Sequence, residues 1–97
     1  MSEQEQISNC VTERRLGRFR LSRWALESAP DETLARIFAG MVIARAEYDW
    51  PSNSIHYVAY APQFEPVRES EEPHPYSIEL TWIDGDLVVK AIPHDGL

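Results

Sequence analysis

A chain of 97 residues, 43% of them apolar, supports one domain with one modest core and argues against wholesale disorder. Its single cysteine, Cys10, excludes an internal disulfide framework and any multi-cysteine zinc site, in keeping with a cytoplasmic location. The polar N-terminus lacks the apolar segment of a signal peptide, no apolar run reaches the roughly 18 residues of a membrane span, and the formal charge is −7.

That charge is unevenly spread. Residues 1–23 are net basic, through Arg14, Arg15, Arg18, Arg20 and Arg23, whereas the rest of the chain is strongly acidic. The spacing predicts an α+β fold in one domain over residues 1–97, with flexible tails at about 1–12 and 93–97.

Arg18–Leu26 reads as a first strand, in which Phe19 and Leu21 alternate with Arg18, Arg20 and Ser22. Trp24 and Leu26 continue in the other register, which calls for a bulge or bend near Arg23. A helix follows over about Ala29–Ala39. Ser28 is its expected cap, Pro30 suits its first turn, Asp31 and Glu32 complement its dipole, and Gly40 stops it. Leu34, Ile37, Phe38 and Met41 form its apolar stripe.

Val42–Ala61 reads as a hairpin at the centre of the sheet. Val42, Ala44, Ala46, Tyr48 and Trp50 share one face of its first strand; Ile43, Arg45, Glu47 and Asp49 share the other. Its second strand, Ser54–Ala61, is rich in β-branched and aromatic residues. Prolines at 62, 66, 73 and 75 make 62–75 a long loop, which Phe64 and Val67 are placed to pin. Tyr76–Ile83 and Asp86–Ile92 form a last hairpin about Asp84-Gly85, with Tyr76, Ile78, Leu80 and Trp82 on one face. The expected architecture is one helix on a largely antiparallel sheet of about five strands, in the order β-α-β-β-β-β.

Catalytic chemistry finds little support. His56, His74 and His94 are widely separated and form no metal-ligand pair. Cys10 falls in the expected tail, Ser52 and Ser54 in a turn without a nucleophile elbow, and no phosphate-cradling glycine loop is present. These absences point to a non-enzymatic protein without cofactor or metal. Arg18, Arg20 and Arg23 are candidates for nucleic-acid phosphates, but pairing with Glu47, Asp49 or Glu79 on neighbouring strands is favoured in so acidic a chain. Glu47, Asp49, Glu65, Glu69, Glu71 and Glu72 are candidates for an acidic partner-binding surface, with Tyr60, Tyr57, Trp50 and Trp82 as aromatic anchors. Acidity that serves only solubility is the competing account.

The segment Ile55–Val67, followed by an acidic loop and Pro75-Tyr76, resembles small accessory proteins carried by phages and mobile elements. The resemblance brings no catalytic residues. It implies an accessory role in the host cytoplasm: inhibition of a defence system, as an anti-CRISPR or anti-restriction protein, by occluding the basic surface of a nucleic-acid-handling complex. The alternatives are a nucleic-acid-binding accessory protein and an assembly protein that forms homo-oligomers.

Overall fold

The computed structural model describes residues 9–94. The elements run β1 (Leu16–Ser22), α1 (Arg23–Ser28), α2 (Asp31–Phe38), β2 (Val42–Asp49), β3 (Ser54–Tyr60), β4 (His74–Ile83) and β5 (Asp86–Pro93). The five strands form one mixed sheet in the order β2-β3-β1-β4-β5. β1 pairs antiparallel with β3 and parallel with β4, while β2–β3 and β4–β5 are antiparallel hairpins.

The centre of the sheet is therefore β1, and the Val42–Tyr60 hairpin lies to one side with β2 as an edge strand. The register change expected as a bulge near Arg23 is instead the end of the strand. The Ser22 hydroxyl accepts a hydrogen bond from the Ala25 N–H at 3.0 Å and caps α1, so Trp24 and Leu26 are helical. This second helix makes the order β-α-α-β-β-β-β. Ser28 closes α1 and does not cap α2, which begins after Pro30, whose carbonyl accepts from the Thr33 and Leu34 N–H groups. Gly40, at φ 74°, lets the chain leave α2 for β2.

In β2 the register shifts between Ile43 and Arg45. The bulge at Ala44 moves Ile43 onto the face of Ala46 and Tyr48 and leaves Val42 with Arg45 and Glu47, which breaks the expected alternation. The Asp84-Gly85 turn forms as expected, both residues at positive φ (51° and 83°), the geometry of a type I′ hairpin.

Alternation gives the sheet one covered and one open face. Phe19, Tyr57, Ala59 and Tyr76 face the helices; Phe38 packs edge-on to Tyr57 at 5.2 Å, and Phe64 stacks on Tyr76 at 4.5 Å. Phe64 and Val67 are buried, so the proline-rich loop is pinned as the sequence suggests, and it returns to β1 through an Arg15–Pro66 bridge. The rings close over Gly17, where a Cβ would meet both Phe64 and Tyr76 at 2.8 Å.

Both expected tails are shorter where they can be seen. Residues 9–12 are helical and Cys10 is buried, with burial pushing its thiol above its ordinary pKa. Pro93 pairs with Tyr76 in β5, and the His94 N–H donates to the Pro75 carbonyl at 3.0 Å. Residues 1–8 and 95–97 lie outside the described part.

Candidate functional site

Strand direction decides what gathers at each end of the sheet. β1, β2 and β4 all finish at the end where β3 and β5 begin. That end carries α1 and both hairpin turns, and with them Trp24, Trp50 and Trp82, all the tryptophans of the chain. They are 74%, 77% and 69% exposed. Indoles are mostly buried on average, so three exposed at one end call for an explanation. Trp82 belongs to the apolar face of β4, as the alternation predicts, but that face leaves the core there. β1 ends at Ser22 while the β4–β5 hairpin continues, so Leu80 and Trp82 stand on a projecting ribbon.

Local bonds hold this end in place. The Arg23 N–H donates to the Asn53 carbonyl at 2.9 Å, and Tyr48 Oη donates to Asn53 Oδ1 at 2.7 Å, tying α1 and the edge strand to the β2–β3 turn. Arg23 pairs with Glu27 at 2.7 Å, and the Glu27 and Tyr48 bonds raise its guanidinium pKa. Asp49, Asp84 and Asp86 lie at the strand ends and hairpin turn on this end of the sheet. The Ser52 hydroxyl bonds the Asp49 carboxylate and is the main cause of its lowered pKa, with help from the Ser52 N–H, His56 and Arg20. The tryptophan end thus combines flat aromatic surface with net negative charge.

The open face has a different character. Cross-strand register sets Glu47, His56 and Arg20 in one row, and Arg45, Val58, Arg18 and Pro75 in the next. With Ser77 and His94 they line a shallow groove of about 620 Å³.

The predicted residues divide among three places. Arg18 and Arg20 share the open face, as their alternation implies, whereas Arg23 is on α1 at the tryptophan end. Among the described residues the expected pairing with Glu47, Asp49 or Glu79 gives no ion pair for Arg18 or Arg20, and Arg20 acts on Asp49 only at longer range. Glu47 is engaged by Arg45, and Asp49 lies 3.8 Å from His56. Glu47 and Asp49 are toward the Ser22 end of the open face; Tyr60 is opposite Leu16 at the other end of that face. Glu65, Glu69, Glu71 and Glu72 stay on the loop at the Leu16 end, where Glu71 lies 3.6 Å from both Arg68 and His74. The acidic candidates therefore do not meet in one field. Sequence reasoning passed over Trp24, which it placed in a strand, and His94, which it placed in a tail.

Among the described residues no three metal-ligating side chains come together, and no helix is long and apolar enough to cross a membrane. No protein-family model, no curated protein and no solved structure matches the chain.

Proposed function

We propose that the protein is a small non-enzymatic binding module whose tryptophan end docks on the basic surface of a partner protein. The observation that carries this reading is the exposure of Trp24, Trp50 and Trp82 at one end of the sheet, beside Asp49, Asp84 and Asp86. Tryptophan is enriched among the residues that dominate interface energetics, and an indole face attracts a guanidinium or ammonium group. Three strand spacings of about 4.8 Å separate β2 from β4, so the aromatic set fits within one interface of ordinary size. The carboxylates supply the complementary charge and speed encounter.

A basic surface of this kind is what nucleic-acid-handling proteins present, and covering it blocks their substrate. That is the mode of action expected of an anti-CRISPR or anti-restriction inhibitor, the role that the phage-protein resemblance implies. The loop carboxylates Glu69, Glu71 and Glu72 sit at the opposite end and are left outside the interface.

The test is affinity capture from bacterial lysate with wild type, a W24A/W50A/W82A variant and an E69K/E71K/E72K variant. The expected result is one stoichiometric partner whose retention weakens with salt and whose nucleic acid competes with the protein. The tryptophan variant should lose it, since each such anchor contributes about 2 kcal/mol or more, and the loop variant should keep it. Equal capture by the tryptophan variant, shown folded by circular dichroism, would remove the tryptophan end from the interface.

A further inference from the structure

We infer that the groove on the open face is an anion site that takes a ligand bearing a phosphate monoester. Arg18 and Arg20 are exposed, project from the same face of the central strand, and make no hydrogen bond or ion pair among the described residues; Arg20 acts on Asp49 only through longer-range attraction. This is unexpected in a chain of net charge −7, where carboxylates outnumber cations and three of them, Glu47, Asp49 and Glu79, stand on the same face. Each guanidinium thus keeps its fork of N–H donors, a geometry that matches two phosphate oxygens at once.

The surrounding groups extend the site. Arg45 flanks Val58 on the side away from Arg18, and Glu47 fixes its guanidinium from one edge. His56 lies between Arg20 and Glu47. Ser77 and His94 touch each other across the β4–β5 pair and close the far wall. Val58 and Pro75 form an apolar floor. Among the side chains that line the groove, Arg18, Arg20 and Arg45 outnumber Glu47, and even with Asp49 at its edge beside His56 the site keeps the net positive charge that a phosphate monoester needs. The groove's volume of about 620 Å³ suits a ligand of nucleotide size.

A long nucleic acid fits less well. Base stacking on a single-strand platform needs aromatic faces. The rings of Phe19, Tyr57 and Tyr76, which border the groove, are turned into the core on the other face. The charge of −7 also opposes a polyanion at long range. A compact, doubly charged headgroup avoids both difficulties.

The inference uses a different face from the docking reading and stands or falls separately. Its test is a titration of isotope-labelled protein with phenyl phosphate, adenosine monophosphate and an octathymidylate without a terminal phosphate, at constant ionic strength. Saturable shifts should appear for the Arg18 and Arg20 Nε groups, His56 and Ser77 with both monoesters. Tighter binding of the nucleotide would assign a nucleoside ligand; equal binding would assign recognition of the phosphate alone. R18Q and R20Q should each weaken binding by about tenfold or more, and R18K/R20K by less, because charge remains while the fork is lost. R36Q on α2 and the W24A/W50A/W82A variant should bind as wild type does. Shifts that sodium chloride reproduces, binding indifferent to R18Q and R20Q, or tighter binding of the oligothymidylate would overturn the inference.

Discussion

The aromatic residues of this protein fall into two sets with opposite fates. Phe19, Phe38, Tyr57, Phe64 and Tyr76 form a chain of ring contacts between sheet, helix and loop, with centroids 4.5–6.5 Å apart. Trp24, Trp50 and Trp82 occupy the far end and face solvent. Ring chemistry does not separate the sets; position along the strands does. Where β1 is paired on both sides and α2 lies over it, a ring on the covered face is enclosed. Beyond Ser22 that cover ends, and the same alternation delivers Trp82 to water. Removing a ring should therefore affect stability at the closed end far more than at the tryptophan end.

The strongest way to break this division is to remove a ring from each set. Phe64 is fully buried and contacts both Phe19 and Tyr76, so Phe64→Ala deletes the pin of the loop and leaves a cavity. The expected loss is about 3–5 kcal/mol, a large part of the stability of a domain this small, read by urea denaturation. Phe64→Leu gives a measurable fraction of that loss if the alanine variant does not fold. Trp50→Ala, at a residue 77% exposed, should change stability by about 0.5 kcal/mol or less. A comparable loss from both substitutions would show that the tryptophan end belongs to the core after all.

A smaller effect probes the closed end without removing anything. Gly17 lies directly beneath the stacked Phe64 and Tyr76 rings, and a methyl group at 2.8 Å from both cannot be placed without moving them. Gly17→Ala should cost about 1–3 kcal/mol by overpacking. Since the displaced Tyr76 hydroxyl accepts from the Glu65 N–H at 2.9 Å, exchange protection of the Glu65 amide should fall in parallel. A neutral or stabilising Gly17→Ala would mean that the rings have room to shift, and that the loop is held elsewhere.

The same division explains which features were legible in the sequence. Local signals were read well. The Asp84-Gly85 turn, the α2 stripe ending at Gly40, and the anchoring of the loop by Phe64 and Val67 depend on residues near one another in the chain. Arg18 and Arg20 could be assigned to one strand face by alternation alone. Features set by distant partners could not. The parallel pairing of β1 with β4 joins segments more than fifty residues apart and makes β1 central. Nothing local marks Trp82 as projecting, because its exposure follows from where β1 stops. The addition of Arg45, His56 and His94 to the two arginines arises only from the register of all five strands. Ser22 was the missed local cue: a serine before Arg-Trp-Ala-Leu-Glu is an N-cap, and the strand pattern through Leu21 masked it.

Asp49 sits where the tryptophan end meets the open face and gives the finest test of how rigidly the two are joined. The Ser52 hydroxyl is the first cause of its lowered pKa, below the ordinary 3.8. A carboxylate whose pKa is lower folded than unfolded stabilises the native state above the unfolded value. That contribution is lost as pH falls through the folded one. Ser52→Ala removes the donor, so the Asp49 carboxyl should titrate closer to its ordinary value when followed by carbon-detected NMR. The variant should be slightly less stable than wild type near neutral pH. The part of the gap due to Asp49 should close as pH falls below its folded pKa, where the carboxyl is protonated in both proteins. Because Ser52 also contacts Ser54 at 2.6 Å, beneath the first row of the open face, some loss should persist at low pH. An Asp49 titration unchanged in Ser52→Ala would assign its low pKa to His56 and Arg20, and would make Asp49 part of the anion groove's charge balance.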